Sequence, residues 1–308
     1  MGLSERVYEW IGRGAVEDAV MVAGTPRSGT TWLAELLATL PGYKHLDEPL
    51  HLNNPAPPDL DWRTYVAPDA RRPRLRTYLE RVFRGQARGH YKTEADSRVG
   101  RVVELCRHPS VVAKFVRAHR LLHWIDEIFD LRGIVILVRH PCAVVASQLD
   151  YEHSETNDWA QASPGEKVET VLAGSLPDSL VNRFAPLVRD LDTGEEVLAA
   201  LWAVDTYCAL RLHGDPPGHI VAYEDLVASP RETLNSVFAS LGATPPTAAL
   251  EHIDVPSDSA ASDLHRENTR RQLSKWRRKL TDGQANRILS VVRAFDLDLY
   301  SEDLRPAL

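Results

Sequence analysis

The sequence predicts an α/β protein with a P-loop-like three-layer αβα fold around a central, mostly parallel sheet. Three observations predict it. Short apolar runs recur without polar alternation, as in strands buried on both faces of a sheet. Segments with helical spacing of apolar residues alternate with those runs, which is the order of βα units. The first run, Ala19-Val20-Met21-Val22-Ala23, ends at Gly24 ahead of a short Thr/Pro/Arg/Ser/Gly loop and a helix start. That order places backbone N–H groups and a helix N-terminus around one point, which suits an anion.

The first unit sets the reading of the chain. Gly24, four residues, Gly29 and then Thr30-Thr31 follow the spacing G-x-x-x-x-G-K-[ST], with Thr30 where the motif carries lysine. That lysine normally reaches the β/γ-phosphates of a nucleoside triphosphate. Here Arg27 is the only cation in the loop. The loop suits phosphate, but not ATP used in the ordinary way. A Gly/Ser/Thr loop can also be a plain βα turn; the arginine, the paired threonines and the strand before them favour the anion site. The first helix is predicted from about Thr30 to Thr39, ahead of Pro41-Gly42.

Tyr43-Lys44-His45-Leu46-Asp47-Glu48-Pro49-Leu50-His51 follows. An acid beside proline after a helix is ordinarily a loop residue. Its place after the first βα unit puts Glu48 near the carboxyl edge of the sheet, where open α/β sheets bind ligands. Glu48 is therefore a candidate general base, with His51 and His45 as the next candidates. Asn53–Asp61 reads as a Pro-rich loop, and Trp62–Arg88 as helical with a linker-like start.

Ser110–Arg117 is the second core strand, with Lys114 near its end. A lysine in a core strand either snorkels out at an edge or contacts a ligand at the strand tip. Leu121–Phe129 has helical spacing, and Gly133–Val138 is the clearest strand after the first. Arg139-His140-Pro141 ends that strand, and a helix beginning at Ala143 carries Ser147. Arg139 and Ser147 can both face the crevice of the first loop, which suggests a second phosphate site.

Asn157–Gly194 shows no clear element and is expected to be part of an acceptor-side insertion over about 150–195. Glu195–Leu212 is an amphipathic helix carrying Trp202, and His219–Leu226 is a strand running into a loop. Ser229-Pro230 opens a helix to Leu241-Gly242. Lys275-Trp276-Arg277-Arg278-Lys279 precedes a last helix near Asp282–Ala294. A basic cluster around one tryptophan either caps a helix end or closes over a nucleotide.

Length and composition bound the rest. The 308 residues, 44% of them hydrophobic, support one domain over 1–308 with its core at about 18–295. Net charge is −7, yet the segment from Arg71 to Arg120 has a local excess of ten positive charges. That excess is either a solvated helix face or a wall facing an anion. Nucleic-acid binding is disfavoured by the acidic whole and the lack of interleaved aromatics. Cys106, Cys142 and Cys208 have no CxxC spacing, so neither a disulfide framework nor a metal site is expected. Charges through residues 1–19 break any signal-peptide core, and no apolar run approaches the ~18–20 residues of a membrane span. The expectation is a cytoplasmic protein with no membrane anchor.

The assembled motifs resemble one family. Thr25-Pro26-Arg27-Ser28-Gly29-Thr30-Thr31-Trp32 looks like the 5′-phosphosulfate loop of sulfotransferases, and Leu137-Val138-Arg139-His140-Pro141 with Ser147 looks like their 3′-phosphate motif. Tyr223-Glu224-Asp225-Leu226 before Pro230 resembles a Y-E-D-L segment common in that family. The Glu48-Pro49-Leu50-His51 and Lys114-Phe115-Val116-Arg117 segments are closer to the carbohydrate O-sulfotransferase branch. The cytosolic small-molecule branch typically has a K-T-H strand with a catalytic histidine; Phe115 after Lys114 departs from it. The resemblance covers about residues 20–295, apart from about 150–195. Unlike the Golgi carbohydrate enzymes, this sequence shows no anchor.

The resemblance implies 3′-phosphoadenosine 5′-phosphosulfate (PAPS) as sulfuryl donor, with no metal required, and a carbohydrate or small-molecule hydroxyl as acceptor. Arg27, Ser28, Gly29, Thr30, Thr31 and Trp32 would hold the 5′ side, and Arg139 with Ser147 the 3′-phosphate. Trp32 would contact the adenine, with Tyr223 a further candidate, and Trp276 and Arg277 would close over the nucleotide. Glu48 would be the base, Arg27 and Lys114 would stabilise charge, and His51 is the alternative catalytic group. The rival readings are a P-loop small-molecule kinase using ATP, which lacks its loop lysine, and a non-catalytic nucleotide-binding protein.

Overall fold

The computed structural model describes residues 13–51, 60, 63–87, 89–93, 95–151, 162–253, 269–303 and 306. Among the described residues, a 3-10 turn at Val16–Asp18 precedes β1 (Val20–Gly24), α1 (Thr30–Leu37), β2 (Tyr43–Asp47), α2 (Pro73–Phe83), β3 (His90–Tyr91) and α3 (Arg98–Arg107). Next come β4 (Ser110–Phe115), α4 (Leu122–Ile128), β5 (Gly133–Val138) and α5 (Pro141–Tyr151). Three helices follow, α6 (Pro164–Val171), α7 (Asp178–Arg189) and α8 (Gly194–Leu210), and then β6 (His219–Ala222) with α9 (Tyr223–Ala228) directly after it. The chain continues through α10 (Pro230–Ser240), α11 (Thr247–His252), α12 (Thr269–Leu273), a 3-10 turn at Lys275–Arg278 and α13 (Asp282–Ala294).

The strands form one sheet in the order β3-β2-β4-β1-β5-β6. All neighbours run parallel except the short edge strand β3, which is antiparallel to β2. Successive residues of β1 point to opposite faces, and both faces are covered, so the run is apolar throughout. Val20 and Val22 pack with Leu33, Leu36 and Leu37 of α1 and Leu234, Val237 and Phe238 of α10. Met21 and Ala23 pack in the opposite layer with residues of α2, α4, α5, α8 and α13. The three-layer αβα arrangement therefore follows from the unalternating strands.

The strand order reverses about β1, whose neighbours are β4 and β5. A crevice at the carboxyl ends of the strands is the binding position in such a sheet. Every strand end there carries a residue singled out by the sequence: Arg27 after β1, Glu48 after β2, Lys114 in β4, Arg139 after β5 and Tyr223 after β6.

Several local expectations are corrected. The Trp62–Arg88 helix is confined to Pro73–Phe83 among the described residues. Proline occupies its first turn, and Gly85 follows its end at φ 69°, the backbone signals for a helix start and stop. The strand expected to run through Leu226 stops at Ala222, where Tyr223–Ala228 turns helical with Glu224 and Asp225 in the first turn. The described part of Asn157–Gly194 contains α6 and α7, each short and amphipathic. β2 escapes a periodicity reading because Lys44 and His45 are buried in it. The Pro-rich loop expected at Asn53–Asp61 lies, apart from residue 60, outside the described residues, as do 152–161.

The basic stretch Arg71–Arg120 does not form one wall. Arg71, Arg74, Arg76, Arg101 and Arg107 are exposed, whereas Arg120 is buried against Asp205 and Lys114 is buried in the crevice. No helix among the described residues is long and apolar enough to cross a membrane. All three cysteines are free, and burial pushes the Cys142 and Cys208 thiols up to about 12.

Candidate active site

The loop between β1 and α1 is packed too tightly for side chains at its glycines. A Cβ on Gly24 would meet Thr30 Cγ2 at 2.5 Å, Ser28 Oγ at 2.7 Å and the Leu137 carbonyl oxygen at 2.8 Å. Gly29 sits at φ 99°, and a Cβ there would meet the Tyr223 ring at 2.8 Å. Arg27 adopts φ 69°, a conformation that costs a non-glycine residue about 1 kcal/mol or more. The first N–H groups of α1 have no partner within the helix and point into this loop. Ser28 serves the loop itself: its N–H and its hydroxyl both bond to the Thr25 carbonyl, at 3.1 and 2.6 Å. Both bonds help to fold the loop.

Arg27, Arg139 and Ser147 meet, although they come from three different elements. Arg27 Nε donates to Ser147 Oγ at 3.1 Å, and Arg139 Nη1 donates to the Arg27 carbonyl at 2.8 Å. The Arg139 guanidinium lies 4.2 Å from the centre of the Tyr223 ring, a cation–π contact. Tyr223 in turn meets Trp32 edge-on at 6.2 Å and receives a hydrogen bond from Gln272 Nε2 at 3.2 Å. Trp32 Nε1 is buried and makes no hydrogen bond among the described residues. Two aromatic rings, an orphaned donor and two guanidinium groups therefore border the glycine loop. That set combines cations and aromatic faces at the mouth of the loop.

The second half of the site stands beside β1 on β2 and β4. The register pairs Asp47 with Lys114, so the two side chains emerge on the same face, toward α1. Lys114 Nζ lies 2.7 Å from Asp47 Oδ1 and 3.1 Å from Glu48 Oε1, and donates to Thr31 Oγ1 at 3.3 Å. Arg117 Nη1 takes the other Glu48 oxygen at 3.2 Å. Glu48 is held at φ 45°, and its N–H extends the ladder to the Lys114 carbonyl at 3.0 Å. Lys114 thus ties the carboxylates to the first turn of α1.

The other predicted residues fall in less central places. His51 lies in the same turn as Glu48, its N–H donating to the Glu48 carbonyl at 2.9 Å. His45 is 3% exposed, and burial pushes it down to about 3, so its ring stays neutral and weakly basic. Trp276 is 4% exposed and stacks on His140 at 4.9 Å, while Arg277 donates to the Glu302 carbonyl. Trp276 therefore packs against the turn after β5.

Sequence reasoning did not single out Asp47, Arg117 or Gln148. Gln148 Nε2 donates to the Pro26 carbonyl at 3.3 Å and braces the loop. Asp47 was legible as a second acid beside Glu48; Arg117 needed the path of the chain after β4.

A sequence model of the Sulfotransferase family matches residues 19–175, just over half the chain. No curated protein sequence matches it. Among solved structures, the sulfotransferase domain of the Synechococcus PCC 7002 olefin synthase is 17% identical, with 92% of this chain and 96% of that one covered and a TM-score of 0.46. The sulfotransferase domain from the curacin biosynthetic pathway is 15% identical over 91% and 99% of the two chains, with a TM-score of 0.42. A sulfotransferase from Alicyclobacillus acidocaldarius is 14% identical over 91% and 99%, with a TM-score of 0.38. From the family match over β1 to α6, which contains the glycine loop, Glu48, Lys114, Arg139 and Ser147, the chain belongs to the sulfotransferase family.

Proposed function

We propose that the chain, as a single domain, moves a sulfuryl group from PAPS to a hydroxyl of a carbohydrate or small-molecule natural product. The observation that carries this reading is the meeting of Arg27, Ser147 and Arg139 at one side of the loop, with Glu48 and Lys114 at the other. The α1 N-terminus and the Thr30 and Thr31 hydroxyls would hold the 5′-phosphate. Arg139 and Ser147 would hold the 3′-phosphate and so set PAPS apart from ATP. Trp32 and Tyr223 supply the aromatic wall for the base.

PAPS supplies an activated sulfuryl group on a phosphate leaving group. Glu48 takes the proton of the acceptor hydroxyl as that oxygen forms its bond to sulfur. The bond from sulfur to the 5′-phosphate oxygen breaks in line, and its electrons remain on 3′,5′-bisphosphoadenosine (PAP). Arg27 and Lys114 offset the charge that grows on the leaving and sulfuryl oxygens, a transition-state effect.

The test is isothermal calorimetry with PAP, AMP and ATP in the presence of a chelator. PAP binding at least about tenfold tighter than AMP binding, with no metal requirement, supports the donor assignment. Tighter binding of ATP that depends on Mg²⁺ would replace it with a kinase.

A further inference from the structure

The Tyr223-Glu224 pair at the start of α9 holds the residue assigned to the 3′-phosphate from two directions. Glu224 is 2% exposed and reaches no cation through a hydrogen bond among the described residues. Its Oε1 accepts the His140 N–H at 3.0 Å, and its Oε2 accepts the Tyr300 hydroxyl at 2.9 Å. His140 is the residue directly after Arg139. Tyr223, the neighbour of Glu224, supports the Arg139 guanidinium at 4.2 Å.

The His140 ring completes the clamp. Its Nδ1 accepts the Cys142 N–H at 3.1 Å, so the proton resides on Nε2, which donates to the Ser301 carbonyl at 3.1 Å. The ring is stacked on Trp276, and Tyr300 meets it edge-on at 5.0 Å. Burial pushes His140 down to about 4, which keeps that tautomer neutral at physiological pH. The turn is thereby tied to α9 on one side and to the segment Trp276–Ser301 on the other.

We propose that Glu224 and Tyr300 are positioning residues that aim Arg139 at the 3′-phosphate, a role that rests on the donor reading above. Burying a carboxylate away from water costs free energy, which its two hydrogen bonds to the His140 N–H and the Tyr300 hydroxyl offset in part. Its placement against the backbone of this single turn matches alignment better than it matches stabilisation. Removing the carboxylate leaves the His140 N–H and the Tyr300 hydroxyl without their acceptor in the interior, and the turn must shift to satisfy them. Trp276 acts in the same way through His140, which accounts for its burial.

The experiment measures PAP and AMP affinities by calorimetry for the wild type, Glu224→Ala, Glu224→Gln and Tyr300→Phe, each with a melting temperature. Glu224→Ala should lose about tenfold in PAP affinity with AMP affinity within about twofold. Tyr300→Phe should lose about threefold to fivefold in PAP affinity alone. Glutamine keeps an acceptor oxygen for the His140 N–H, so Glu224→Gln should recover most of the loss. A PAP/AMP ratio equal to that of the wild type in Glu224→Ala and Tyr300→Phe overturns the proposal and leaves the donor reading standing. Equal losses for both nucleotides also overturn it, since a purely structural role predicts them. If Glu224→Ala does not fold, Tyr300→Phe decides alone. A wild type that does not prefer PAP overturns the donor reading and this role together.

Discussion

Replacing Glu48 by glutamine separates base catalysis from everything else the site does. The side chain keeps its size, its place after β2 and one acceptor oxygen. Its new NH₂ group must then face either Lys114 Nζ or Arg117 Nη1, which hold the two carboxylate oxygens at 3.1 and 3.2 Å. Losing one charge-assisted contact and gaining a donor–donor clash costs about 1–3 kcal/mol of stability. Loss of the base costs more: general-base catalysis is worth about 10²–10⁴ in rate, or about 3–5 kcal/mol of barrier. Lys114 links Glu48 to Thr31 at the start of α1, and glutamine keeps the side chain's size there, so PAP affinity should change by less than about threefold. The assay is sulfate transfer at saturating donor, with PAP binding measured on the same preparation. Unchanged turnover in a variant that binds PAP normally would refute Glu48 as the base.

Three other perturbations follow from the geometry. Arg139→Ala removes a charge-assisted contact worth about 1.5–3 kcal/mol, so PAP binding should weaken about tenfold to a hundredfold while AMP changes little; equal losses would contradict the assignment. Gly29→Ala forces a Cβ onto a residue at φ 99° and against the Tyr223 ring. It should destabilise the fold by about 1–3 kcal/mol in denaturant titrations and weaken PAP binding. His45, His119 and His140 are buried and pushed down to about 3, 4 and 4. Their folded values lie below the unfolded value, so the unfolded chain binds more protons between about pH 4 and 6.5. Stability is therefore full above about pH 6.5 and falls as pH drops toward 4, by up to about 2 kcal/mol per histidine at pH 5. Denaturant midpoints equal at pH 7.5 and pH 5 would show that these rings do not stay neutral on folding.

The donor side was legible in the sequence because its chemistry is local. The glycine loop, its strand and its helix are contiguous, and Arg139 and Ser147 sit within two helical turns of each other on one βα unit. Glu48 was readable from its place after the first unit. Asp47 and Arg117 were harder, since the pairing of Asp47 with Lys114 and of Arg117 with Glu48 depends on β2 lying beside β4, which no local pattern reveals. β2 itself was hidden by buried polar residues such as Lys44, which reaches the Leu105 carbonyl at 3.5 Å and is pushed down to about 8 by burial. A tryptophan among basic residues reads the same whether it closes a site or caps a helix end; in the structure Trp276 stacks on His140. The acceptor side left little trace, because the proposed hydroxyl acceptor would be recognised by shape contributed from many separate residues.

The central claim is transfer from PAPS to a hydroxyl without a metal. Its most direct test is incubation of the protein and PAPS, in chelator, with a panel of hydroxylated sugars and natural-product alcohols, read by mass spectrometry. The proposed reaction predicts release of PAP matched by a product heavier by one SO₃, absent with Glu48→Gln. No such product from any acceptor, together with Mg²⁺-dependent phosphate transfer from ATP, would contradict it.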